Sequence, residues 1–162
     1  MAKEPAIAAL LINDAGQGHF ALWLAHYLNA AGSENFRQKK FRWVLTGRNI
    51  LALASAQYNL KAAFADAAVI PSADIFLDRE RLAPDEKGYG FIAFFPEIIS
   101  KTDRHEANWL GLKELLLPGG IVIAGIGSGE AERFDKKKLS GFTRMGDIKR
   151  KGFRALAYKA KF

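Results

Sequence analysis

Apolar residues come in short dense runs separated by amphipathic stretches, and this alternation continues along the chain. Residues 7–13 form one such run, ending at Asn13, and read as a buried strand. The period then changes. Phe20, Leu22, Trp23, Leu24 and Leu28 mark the apolar side of a helix over residues 18–29, with Gly32 stopping the chain beyond. Residues 41–46 predict a second strand that Gly47 breaks, and Asn49 is placed to cap a helix reaching about residue 60. Residues 65–70 predict a third strand ended by Pro71, followed by a polar, loop-like segment over 77–88.

The second half repeats the pattern. Residues 89–95 are continuously apolar, as in a central parallel strand covered on both faces. Thr102 or Asp103 caps a helix running to residue 116. Pro118, Gly119 and Gly120 make a sharp turn into a strand over 121–126, and Gly127-Ser128-Gly129 opens a charged helix over 130–138. Two further strands, 142–145 and 153–158, are joined by a basic stretch over 146–152. Alternating strands and helices predict an α/β fold: a Rossmann-like, doubly wound, mainly parallel sheet with right-handed crossovers and an antiparallel C-terminal strand pair. At 162 residues a single domain over 1–162 is expected.

Composition narrows the chemistry. Apolar residues make up 49% and charged residues 25%, the mix of a soluble globular protein. There is no cysteine, so disulfide and thiolate chemistry are excluded. His19, His26 and His105 are scattered without metal-ligand spacing, and no metal site is expected. No apolar run is long enough to span a bilayer, and residues 1–5 lack the form of a secretory signal; no membrane partner and a cytoplasmic location are expected.

The charge is one-sided. Net charge is +7, but residues 133–162 hold eleven Lys or Arg against Asp135 and Asp147, a net +9, which leaves −2 for residues 1–132. Such a field suits a polyanion. The candidate RNA-binding residues are Lys136, Lys137, Lys138, Lys149, Arg150, Lys151 and Arg154. Phe142, Phe153 and Tyr158 lie among them, either as base-stacking groups or as the core face of two strands. The other reading of the charge is a solvated tail.

The chemistry-bearing stretch is Asp14-Ala15-Gly16-Gln17-Gly18, between the first strand and the first helix. Glycine lets backbone approach a ligand closely, and the helix start aims free N–H groups at it. Strand, glycine turn and helix together hold nucleotide-like cofactors at the carboxyl ends of open α/β sheets. Equally, Asp14 can cap the helix, and Gly16 and Gly18 can serve only the turn. Trp23 and Trp109 sit on apolar helix faces and are expected in the core.

Asp14-Ala15-Gly16-Gln17-Gly18 resembles the first motif of class I S-adenosylmethionine-dependent methyltransferases. Leu115-Leu116-Leu117-Pro118-Gly119-Gly120 resembles their Leu-Leu-x-Pro-Gly-Gly turn into the fifth strand. Residues 47–59, ending Ala56-Gln57-Tyr58-Asn59, resemble the stretch after the second strand. Within the superfamily the chain is most similar to the "methyltransferase small" domains of ribosomal-RNA guanine-N2 methyltransferases, some of which carry a degenerate N-terminal copy. The resemblance implies S-adenosylmethionine as cofactor, with Asp14, Gly16, Gly18, Gly47, Arg48 and Asp74 at cofactor-binding positions. It places Phe94, Phe95, Pro96 and Glu97 at the catalytic positions after the fourth strand. It implies RNA, specifically ribosomal RNA, as partner, together with a second methyltransferase domain or a homo-oligomer.

The sequence departs from that family at three functional points. The ribose-binding acid at the end of the second strand falls at Gly47, beside Arg48. The Asn-Pro-Pro-Tyr/Phe motif is replaced by Phe94-Phe95-Pro96-Glu97, and the third glycine of the cofactor loop by His19. Glu97 can still accept a hydrogen bond from an exocyclic amine.

Three function classes fit these residues: an RNA-directed methyltransferase, a catalytically silent methyltransferase-like domain binding RNA or protein, and an NAD(P)-binding oxidoreductase. The third satisfies Gly16-x-Gly18-x-x-Ala21 but lacks the acid about twenty residues beyond.

Overall fold

The computed structural model describes residues 9–13, 15–31, 41–64, 68–72, 88–94, 106–129, 131 and 141–162. In chain order the elements are β1 (Ala9–Asn13), α1 (His19–Ala31), β2 (Arg42–Thr46), α2 (Ile50–Ala63), β3 (Ala68–Ser72), β4 (Tyr89–Phe94), α3 (Glu106–Leu115), β5 (Leu116–Gly127), β6 (Phe142–Arg150) and β7 (Phe153–Ala160). The strands form one seven-stranded sheet in the order β3-β2-β1-β4-β5-β7-β6. β1 to β5 are mutually parallel, and β7 runs antiparallel to both β5 and β6.

The sheet separates two cores. On one face Leu10, Ile12, Trp43, Leu45 and Ala93 pack against Ala21, Leu24 and Ala25 of α1 and Leu53, Ala56 and Leu60 of α2. On the other, Leu11, Val44, Ile92, Val122 and Ala124 meet Leu112 and Leu115 of α3, and Leu156 and Tyr158 of β7. Burial on both faces explains why β1 reads as one apolar run rather than as an alternation.

α2 begins as expected: the Asn49 side chain accepts a hydrogen bond from Ala52 N at 3.1 Å, satisfying an end N–H that the helix leaves unpaired. Lys61 in its last turn faces the negative end of the helix dipole.

Several expectations are corrected. Pro71 does not end the third strand but lies inside β3, which is tolerated because β3 is a sheet edge. The Pro118-Gly119-Gly120 turn lies within β5. Between Tyr89↔Leu116 and Phe91↔Ile121, two steps on β4 match five on β5, and Gly119 takes φ +77° in the excursion. The last two strands are longer than predicted, and Lys151 and Gly152 alone join them, with Gly152 at φ +78°. Residues 146–150 therefore belong to β6, not to a loop. Trp23 is 59% exposed rather than part of the core. The Trp109 side chain, His105 and most of the 130–138 helix lie outside the described residues.

Candidate cofactor and nucleic-acid site

The carboxyl ends of β1, β2, β4 and β5 lie along one sheet edge because these strands are parallel. At β1 and β2 each apolar strand closes on one buried polar residue. Asn13 Nδ2 donates to Thr46 Oγ1 at 2.9 Å, and the two residues are 4% and 0% exposed. Ala15 N then donates to Thr46 O at 2.8 Å, so the glycine loop crosses the end of β2 on a direct backbone bond. Gly18 N returns to Ala15 O at 2.9 Å, and Leu22 N donates to Gly18 O at 2.8 Å, starting α1. From α2, Asn59 Nδ2 donates to Gln17 O at 3.4 Å. The loop is thus fixed from both strands and from the neighbouring helix. Asn13, Thr46 and Asn59 in these supporting roles were not singled out from sequence; the signal was a polar residue closing each apolar run.

The two glycines differ. Gly16 has φ +53° and is exposed, and a Cβ there would meet nothing within 4 Å. Gly18 has φ +84° and is buried, and a Cβ there would come within 2.7 Å of Ala56 Cβ. Gly16 leaves room above the loop for a ligand. Gly18 is required by the packing of α2 against the start of α1.

Gly47 occupies the predicted place beside the loop, with its Cβ direction 3.4 Å from Leu53 Cδ2 and 3.9 Å from Ala15 N. The position faces the loop but offers no side-chain acceptor for a sugar hydroxyl. Arg48 beside it is exposed, as is His19 at the helix start. The loop half of the site therefore fits an adenosine-bearing ligand through backbone contact at Gly16, whereas Gly47 and Arg48 supply no carboxylate for its ribose. Asp14, Asp74, Phe95, Pro96, Glu97, Lys136, Lys137 and Lys138 lie outside the described residues, as does the Phe94 side chain; Phe94 is the last residue of β4.

The basic hairpin reaches the same edge. β7 starts at Phe153 opposite Gly127, the carboxyl end of β5, and β6 ends at Arg150 beside Phe153. Ser128 N donates to Gly152 O at 3.2 Å, tying the hairpin tip to β5. Lys149, Arg150, Lys151 and Arg154 therefore sit on the edge that carries the glycine loop. With strands ~4.8 Å apart, β7 lies ~14 Å from β1 and β6 ~19 Å. Asp147, the one acid of the hairpin, accepts from Arg154 Nε at 2.6 Å and Arg144 Nη2 at 2.8 Å. The Arg154 hydrogen bond is the largest influence; with the charges of Arg154 and Arg144 it holds the carboxyl below the usual range against an opposing desolvation that ranks second.

No protein-family model matches the sequence, and no curated protein matches it either. Solved structures do. TrmN from Thermus thermophilus superposes with a TM-score of 0.67 at 16% identity, covering 95% of this chain and 44% of that one. A chain from Clostridium thermocellum assigned as an rRNA-methylase gives a TM-score of 0.64 at 14% identity, covering 93% of this chain and 88% of that one. The N-methyltransferase NodS from Bradyrhizobium japonicum, in complex with S-adenosyl-L-homocysteine, gives 0.65 at 12% identity, covering 94% and 76%. The chain has the class I methyltransferase fold. Antiparallel β7 between β5 and β6 separates this fold from the dinucleotide-binding order 3-2-1-4-5-6. Among the described residues no helix is long and apolar enough to cross a membrane.

Proposed function

We propose that this chain is an RNA-directed methyltransferase using S-adenosylmethionine, acting on a guanine exocyclic amine in ribosomal RNA in the cytoplasm. The observation that carries this reading is the shared sheet edge: the glycine loop and the cationic hairpin tip face the same side, ~14–19 Å apart, a span one bound RNA segment covers. The donor, when bound, supplies an electrophilic methyl group. The protein's own work is to position the amine in line with that group and to exclude water. In this reading Gly16 gives the donor close backbone contact and Asp14 accepts from its ammonium. Asp74 meets the adenine amine, and Glu97, three positions after Phe94 in the sequence, orients the target amine. Lys136, Lys137 and Lys138 add to the hairpin cations along the RNA. The missing carboxylate at Gly47 predicts weaker donor binding than in a site that holds both ribose hydroxyls.

A second reading is a catalytically silent copy of the fold that contacts a second methyltransferase domain or a second copy of itself. Besides Gly47, it is favoured by the outer face of α1 and α2. There Trp23, Tyr27, Leu51 and Tyr58 are exposed, and Lys61 is the sole charged residue of the two helices. A helix apolar on its outer side is normally covered.

Titration calorimetry with S-adenosylhomocysteine and with NADPH tests the first reading. Heat with the former alone supports it. Heat with neither, together with salt-dependent RNA binding, supports the silent domain. Heat with NADPH alone overturns both.

A further inference from the structure

The three aromatic residues of the hairpin part company in the fold. Phe142 and Tyr158 are buried and form an edge-to-face pair 6.4 Å apart between ring centres, whereas Phe153 is 61% exposed. Phe153 is also the aromatic residue at the hairpin tip, next to Gly152 and opposite Arg150. Its register partners on either side are Gly127 of β5 and Arg150 of β6, so all three positions lie on the same sheet face. A Cβ at Gly127 would meet nothing within 4 Å. The sheet thus carries an open notch at the register position on one side of Phe153 and Arg150 at the position on the other. Ile148, two residues before Arg150 and on the same face, is 67% exposed and extends the apolar floor.

An apolar floor beside an open notch accepts a flat apolar body. Arg150 on the same face and Lys151 in the adjoining turn select an anionic occupant, while Lys149, paired with Arg154, belongs to the opposite face. A second copy of this chain would bring its own net charge of +7 against those cations, and a neutral apolar helix would leave them unanswered. A nucleobase on a phosphate backbone meets both requirements, since every base has a π-face and every nucleotide step a negative charge.

We propose that Phe153, with the Gly127 notch beside it and Arg150 across the hairpin, is a shelf on which an unpaired base of single-stranded RNA stacks. The inference rests on the RNA-directed reading above and adds the strandedness of the RNA and the residue that grips it. The shelf lies ~14 Å from the glycine loop, so the stacked base is a neighbour of the one presented for reaction, and Phe153 is a positioning residue.

The test uses the full chain, a single-stranded RNA oligonucleotide carrying 2-aminopurine, and inorganic polyphosphate as a polyanion without bases. Phe153→Ala is expected to lose about 5- to 150-fold in affinity for the oligonucleotide. It should abolish 2-aminopurine quenching and leave polyphosphate binding and the salt slope unchanged, and Phe153→Trp should restore both. Gly127→Val, which adds a side chain into open space, should reproduce the loss with an unchanged melting temperature. If the parent binds the oligonucleotide and Phe153→Ala binds it within twofold, the shelf is overturned and the RNA-directed reading stands. The shelf is equally overturned if Phe153→Ala weakens oligonucleotide and polyphosphate alike. If the parent binds neither probe, the RNA-directed reading falls and the shelf with it.

Discussion

Asn13 Nδ2 donates to Thr46 Oγ1 across the carboxyl ends of β1 and β2, and both residues are buried. The Thr46 carbonyl holds Ala15 N at the same place, so one residue anchors both the strand end and the glycine loop. Thr46→Val keeps the shape and removes the hydroxyl, leaving an Asn13 N–H without that partner. It is expected to destabilise the protein by about 1–3 kcal/mol in urea denaturation. Combining it with Asn13→Leu removes both partners, and the double variant should cost less than the two single losses added together.

The glycine loop supplies a second comparison. Gly18→Ala places a Cβ 2.7 Å from Ala56 Cβ at a φ of +84°, so a left-handed penalty and an overpacking penalty combine. About 2–5 kcal/mol of destabilisation is expected. Gly16→Ala meets open space at φ +53° and should cost only about 1–2 kcal/mol. Ala56→Gly in the Gly18→Ala background removes the contact with Ala56 Cβ but leaves the 2.8 Å approach to Ala56 Cα and the backbone strain, so denaturant melts should show little rescue.

That comparison marks how far the sequence could be read. The strand-to-helix turn at Gly16 and Gly18, the Asn49 cap and the antiparallel ending were legible, because each depends on residues close in the chain. The role of Gly18 was not. Its neighbour Ala56 lies 38 positions away, and the glycine that a ligand needs looks the same as the glycine that helix packing needs. The extent of β6 was hidden for a different reason. From Thr143 to Arg150 the strand is almost wholly exposed, so no apolar alternation marks it, and its cations read as loop. A bulge between Arg144 and Gly146 breaks the period further. Trp23 misled through residue type alone: it shares helical spacing with Phe20 and Leu24, yet stacks on Tyr27 at 5.6 Å on the outer face of α1.

Asp147 gives the hairpin a pH dependence of defined sign. Its carboxyl titrates below the usual ~3.9 because Arg154 hydrogen-bonds the charged form. A depressed folded value means that the contribution is fully present above the unfolded value and is lost as pH falls through the folded one. The opening free energies of β6 and β7, from amide exchange corrected for the pH-dependent intrinsic rate, should therefore be flat above about pH 5 in the parent and fall as pH drops below about 4. Asp147→Asn should lack that acid response, so parent and variant converge at low pH. The same substitution removes the only negative charge of the hairpin, and its affinity for polyanions should rise.

Lys149, Arg150 and Lys151 test whether the hairpin tip is the electrostatic contact. Each phosphate neutralised on a single strand contributes about −0.7 to the slope of log K against log salt. Replacing all three with Ala should flatten the slope by about 2, provided each contacts one phosphate. Because these side chains are exposed on an edge strand and its turn, the melting temperature should stay unchanged. The slope is the decisive quantity, since affinity at a single salt concentration mixes stacking with charge. An unaltered slope in the triple variant would move the RNA contact off the hairpin tip and onto the cations at Lys136, Lys137 and Lys138.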